Sequence, residues 1–187
     1  MNPLWLATRA TGEISLVLLT VVTVMGIATT KGWASSRWPE SVVTLLHRNI
    51  SLLSVVFLGV HISTTIIDAY VPIGWVDVVV PFIQPYRTLW VGLGTVAFDL
   101  MLAIIITSLL RRRIPPTLWK GIHWASYLMW FVAVLHGLGS GSDQLLTRVV
   151  AAAMTLLVIA AVLARFSTPH RQDDPVVSVR TRTELPR

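Results

Sequence analysis

The chain has 187 residues, 54% apolar and only 13% charged, with a mean hydropathy of +0.70. That composition excludes an ordinary water-soluble domain and leaves room for about five membrane spans of ~20 residues. The absence of cysteine excludes cysteine-ligated iron–sulfur clusters, thiol redox chemistry, disulfides and covalent c-type haem attachment. The net charge of +6 sits in loops between apolar runs, where membrane topology accounts for it without nucleic acid.

The first predicted span runs from about Leu4 or Ile14 to Thr29, with Arg9 and Glu13 ahead of its apolar core. Four further spans follow, so this segment reads as a retained helix and not a signal peptide. After the polar stretch KGWASSRWPE, the second span covers about Ser41 to Tyr70, with Pro39 and Glu40 as helix-start residues. The connection VPIGWVDVVVPFIQPYR carries three prolines, which argue against a full span and for an interfacial flap. The third span covers about Thr88 to Leu110, and RRRIPPTLWK makes a basic turn. The fourth covers about Leu118 to Leu138, GSGSD makes a tight turn, and the fifth covers about Gln144 to Phe166.

The predicted fold is therefore an all-α bundle of about five transmembrane helices over residues 1–166. A polar, proline-containing tail over 167–187 is expected to be disordered and cytoplasmic. Five crossings put the termini on opposite sides. Lys31, Arg37, Arg48, Arg111, Arg112, Arg113, Lys120, Arg165, Arg171, Arg180, Arg182 and Arg187 fall on one side; Arg9, Arg87 and Arg148 fall on the other. The positive-inside rule then predicts a multi-pass cell-membrane protein, its N-terminus outside and its C-terminus in the cytoplasm.

Four of the five histidines lie inside predicted spans: His47 and His61 in the second, His123 and His136 in the fourth. The fifth, His170, falls in the tail. A lone membrane histidine is as readily a hydrogen-bonding group between helices as a functional one. The arrangement favours function. His47 and His61 are 14 residues apart and His123 and His136 are 13 apart, each roughly 20 Å along a helix. One span separates the two histidine-bearing helices, so they run in the same direction. His47 then shares a depth with His123, near the cytoplasmic face, and His61 with His136, near the outer face. Two opposed imidazoles at one depth are what a six-coordinate haem iron takes as axial ligands, so the expectation is two b-type haems stacked across the bilayer. The 13-residue step departs from whole helical turns by about 140°, and unequal haem offsets or a local change of winding must absorb it.

These residues resemble the ferric reductase-like transmembrane domain family. That family includes yeast-type ferric reductases, NADPH oxidases and the haem-bearing membrane subunit of a bacterial methionine sulfoxide reductase system. The two histidine pairs on alternate helices match its two-haem branch. The run Trp119-Lys120-Gly121-Ile122-His123-Trp124-Ala125-Ser126-Tyr127 is similar to its W-x-x-x-H-x-x-x-Y segment. Pro85-Tyr86-Arg87 followed by Gly92, and Thr107-Ser108-Leu109-Leu110-Arg111, resemble the two ends of the helix between the histidine helices. The resemblance spans about residues 4 to 166 and implies transmembrane electron transfer to an outer acceptor such as ferric iron, oxygen or an exported reductase. Larger members carry a flavin- and NAD(P)H-binding domain after the last helix. Here about 20 residues follow, with no GxGxxG. The expected electron donor is thus a flavoprotein or reductase partner, or a membrane quinol. Flavin or quinone is expected only through that partner, and the expectation is a component of an oxidoreductase rather than a complete enzyme. Two other readings stay open: a cytochrome b anchor of a quinol-linked complex, and a non-enzymatic haem-binding membrane protein.

Supporting candidates follow. Arg48 beside His47, and Arg87 at the outer mouth, are positioned to pair with haem propionates, with Arg9 a third. Each also has a plain reading as a topology marker or helix-end residue. Asp99 in the third span is either a neutral, hydrogen-bonded carboxyl or a proton or quinone site. Asp68 shares a helix face with His61. Trp130 and Phe57 lie between the histidines of their spans, and Trp75 and Phe82 of the flap are candidates to shield the outer site.

Overall fold

The computed structural model describes residues 3–30, 39–68, 72–140 and 144–167. They form six helices: α1 (Pro3–Thr30), α2 (Glu40–Ile67), α3 (Trp75–Val79), α4 (Thr88–Leu109), α5 (Pro116–Ser140) and α6 (Gln144–Ser167). Among the described residues there is no strand, as the sequence predicts. The expected tail beyond Ser167, with His170, and most of the first loop lie outside the described residues.

The helices start where local chemistry allows. Pro39, extended at φ −60, precedes α2, whose first turn carries Glu40. That carboxylate complements the positive end of the helix dipole. Pro116 opens α5 at a position where a missing N–H costs nothing. Most of the described hydroxyls inside the spans return to their own helix, where no water is available to satisfy them. Thr20 Oγ1 donates to the Leu16 carbonyl at 2.8 Å and Thr107 Oγ1 to Ala103 at 2.7 Å.

Four helices, α1, α2, α4 and α6, are long and apolar enough to cross a membrane. The 28 residues of α1 and of α2 span about 42 Å each, against a hydrocarbon core of ~30 Å. The fourth expected span, α5, has sufficient length at 25 residues. It is less apolar because it carries Lys120, two histidines, Ser126 and three glycines inside its bounds. The expected flap contains a helical turn, α3, closed by the Gly74 N–H donating to Asp77 Oδ2 at 2.7 Å.

α1 is the centre of the bundle and packs against α2, α5 and α6; α4 packs against α5 and holds α3. The core lies between these helices and includes Leu16, Leu19, Ala97, Met129, Trp130, Val134, Ala151 and Val158. α2 is the least buried of the four apolar spans, and its packing is principally with α1.

Candidate metal centre

α2 and α5 face each other through histidines. The His47 and His123 ring centres are 6.4 Å apart, with the planes at 63°. The His61 and His136 centres are also 6.4 Å apart, with the planes at 82°. The sequence-derived pairing is therefore the spatial one. A metal–imidazole bond of about 2 Å, with the bonded nitrogen ~1 Å from the ring centre, puts two rings on opposite sides of one metal about 6 Å apart. α5 stays α-helical from end to end, so no change of winding absorbs the 13-residue step. The rings absorb it: His123 stacks on Trp119 one turn before it, at 5.1 Å and 25°, while His136 is drawn toward α4.

Three of the four rings are anchored through Nδ1. His47 Nδ1 lies 3.1 Å from the Val22 carbonyl, His61 Nδ1 lies 2.8 Å from Thr8, and His136 Nδ1 lies 2.7 Å from Trp90. A carbonyl only accepts, so Nδ1 carries the proton and donates. The Nε2 lone pair is left for a metal, the tautomer that ligating histidines usually adopt. His123 differs: its Nδ1 is buried with no hydrogen-bond partner among the described residues.

A cavity of about 770 Å³ surrounds the outer pair, within the ~300–1,000 Å³ range of cofactor-sized sites. Its wall is mostly apolar, with Leu16, Leu19, Leu58, Ala97, Met101 and Met129 among its members. Arg9, Arg87 and Asp68 also line it. The Arg9 guanidinium lies over Trp5 at 5.4 Å. Arg87 Nη1 donates to the Gly139 carbonyl at 2.9 Å. Its backbone is left-handed at φ 46, as is that of Phe82 at φ 66, a conformation that costs a non-glycine residue about 1–2 kcal/mol. The inner pair does not line this cavity. Arg48 is exposed one residue after His47, and Asp99 is half-buried on α4 away from the cavity wall.

Several expectations change. Trp75 is 72% exposed, and Phe82 packs its ring against Gly92. Neither lines the cavity; Ile73, Asp77, Val78, Tyr86 and Arg87 are the flap residues that do. The flap is pinned so because Thr95 Oγ1 of α4 donates to the Asp77 carbonyl at 2.8 Å. Trp130 is a core residue whose Nε1 donates to Thr20 Oγ1 at 2.9 Å, and neither it nor Phe57 reaches the cavity wall. The sequence reading missed Glu13 as a site residue. It lines the cavity, accepts from Thr147 Oγ1 at 2.8 Å and buries its second carboxylate oxygen without a partner among the described residues.

Among the described residues no three His, Cys, Asp or Glu side chains converge on one point. A porphyrin brings four of its iron's six ligands, so a pair of imidazoles is the complement it needs. A family model described as ferric reductase like transmembrane component matches residues 11–134.

The chain belongs to that family.

The match takes in His47, His61 and His123 and ends two residues before His136. No curated protein and no solved structure matches the chain. Membership makes this ferric reductase-like chain a multi-pass membrane component of electron transfer.

Proposed function

We propose that this chain is a di-haem b-type cytochrome that carries electrons across the cell membrane. The donor is a cytoplasmic flavoprotein, or a quinol, and the acceptor lies outside. The observation that carries the reading is the pair of facing imidazole couples, each at 6.4 Å between ring centres, on two helices of the same direction. His47 and His123 would hold the inner haem, and His61 and His136 the outer one. Bound haem would supply a one-electron iron couple at each depth. The protein's part is positional. Donation of the histidine Nδ1–H groups to the carbonyls of Val22, Thr8 and Trp90 keeps three imidazoles oriented with Nε2 deprotonated. Leu16, Leu19, Leu58 and Met101 exclude water from the outer site. Arg9 and Arg87 offer guanidinium groups to carboxylates at its wall, and Arg48 offers one near the inner pair. The gathering of twelve of the fifteen basic residues on one side supports a cytoplasmic C-terminus, and the Arg111–Arg113 turn then faces the donor.

The test is the absorption spectrum and pyridine haemochrome count of the purified protein, repeated for His47→Ala and His61→Ala. Loss of about one haem in each variant is expected. Unchanged haem content in both would reject these ligands. Reduction by quinol analogues without any flavoprotein would identify the donor as quinol.

A further inference from the structure

Each anchored histidine meets its neighbouring helix at the same small piece of sequence. His61 donates to the Thr8 carbonyl and lies against Gly12; His47 donates to Val22 and lies against Gly26; His136 donates to Trp90 and lies against Gly94. In all three the glycine is four residues after the accepting carbonyl. That carbonyl already takes the glycine's own N–H in the helix, and its second lone pair is open to a side donor. A Cβ in an α-helix leans toward the N-terminus, back over that carbonyl. Glycine leaves the approach clear for an imidazole edge.

The repeat is also in register. Gly12 and Gly26 are 14 residues apart, as are Thr8 and Val22, and as are His47 and His61 on antiparallel α2. His123 is the exception. Counting 13 or 14 residues along α4 from Gly94 reaches Thr107 and Ser108, both with side chains. Ser108 Oγ takes the Trp119 indole N–H at 3.4 Å, and the His123 Nδ1 has no partner among the described residues.

We propose that Gly12 and Gly94 are positioning residues for the axial imidazoles of His61 and His136, each opening a lane through which Nδ1–H reaches the carbonyl one turn back, while Gly26 occupies the same place beside His47 with room to spare. The inference rests on the di-haem reading. It also carries a rank. A Cβ at Gly94 would stand 2.6 Å from His136 Cε1 and Nδ1, one at Gly12 would stand 3.0 Å from the same atoms of His61, and one at Gly26 would stand 3.5 Å from His47 Cε1. The first demands a shift, the second a small one, and the third is ordinary contact. In the haem-free protein the ring can swing aside at little cost. Fixed between iron and carbonyl it cannot, so the penalty falls on haem binding and not on folding.

The experiment uses the full chain with Gly94→Ala, Gly12→Ala and Gly26→Ala, and Gly59→Ala and Gly121→Ala as controls, since a Cβ at either control meets nothing within 4 Å. Haem per chain, the low-spin signature of the oxidised protein, and thermal unfolding of protein made under haem limitation are measured. Gly94→Ala is expected to weaken outer-haem retention about 10-fold or more and raise the high-spin fraction. Gly12→Ala shows a smaller effect of the same kind, and Gly26→Ala and the controls behave as wild type. Haem-limited protein unfolds at the wild-type temperature in every variant. Wild-type haem content and spin state in both Gly94→Ala and Gly12→Ala overturn the inference while leaving the di-haem reading intact. An equal loss of stability in the haem-limited variants overturns it too, by showing a role in folding. Should Gly94→Ala fail to accumulate, the softer Gly12→Ala decides. A colourless wild-type protein from haem-replete cells brings down the di-haem reading and this inference together.

Discussion

The hydrogen bond from Trp130 to Thr20 joins α5 to α1 in the middle of the bundle, and a double-mutant cycle measures its worth. The donor residue is 6% exposed, the acceptor 0%, and the N···O distance is 2.9 Å. Thr20→Val leaves the indole N–H buried and unpartnered, a cost of about 1–3 kcal/mol. Trp130→Phe leaves the Thr20 hydroxyl its donation to Leu16 at 2.8 Å, so the polar loss is smaller; the smaller ring adds a packing loss, for about 1–2 kcal/mol in all. Side-chain hydrogen bonds between membrane helices average ~0.6 and reach ~1.7 kcal/mol. The double variant is therefore expected to be more stable than the sum of the singles by about 1 kcal/mol. The assay is reversible unfolding in mixed micelles, with haem content read alongside. Trp130 is absent from the cavity wall, so Trp130→Phe should leave haem content unchanged. A coupling within ~0.3 kcal/mol of zero would refute the bond as a link between the helices. Haem loss in Trp130→Phe would refute its assignment to the core.

Two further predictions concern the outer mouth. Arg87→Gly removes a hydrogen bond to Gly139 but frees a left-handed backbone that costs arginine about 1–2 kcal/mol. It should unfold near the wild-type midpoint, whereas Arg87→Ala keeps the strain and should be less stable than Arg87→Gly by about 1 kcal/mol. Both remove a cation from the cavity wall, so a redox titration should find the outer midpoint potential lowered in each. Gly139→Ala would drive a methyl group into the Trp90 indole, whose backbone carbonyl holds His136. Haem counting should show outer-site loss with a folding cost of about 1–3 kcal/mol, and Gly121→Ala, with open space at its Cβ, should show neither.

The helices were legible because lipid leaves so little freedom: apolar length and loop prolines set their bounds to within a few residues. The histidine pairing was legible because two separations of nearly equal length on helices of one direction admit only one match by depth. The inner and outer pairs look equivalent at that level. Their inequality is fixed by α1 and α4, which the histidine spacing does not mention. The 14-residue spacing of Gly12 and Gly26, equal to that of His47 and His61, was in the sequence as a signal. It gains meaning only once α1 is known to lie antiparallel against α2. Glu13 looked like an interfacial charge ahead of the first apolar core. Its role depends on Thr147, 134 residues away, a contact that no local pattern announces. Trp130 and Phe82 were aromatic residues in suggestive positions, and which neighbour each faces depended on helix rotation and on the flap's pinning by Thr95.

The way α2 is attached bears on how such a protein is made. Its packing is mainly with a single neighbour, and the residues it presents to α5 are metal ligands. Before a ring is bound, α2 is held chiefly by its extensive contact with α1. Axial bonds to a flat lipophilic ring would add a tie from α2 to α5. Cells starved of the ring should accumulate a form nicked by membrane proteases along α2, and resupply should protect it.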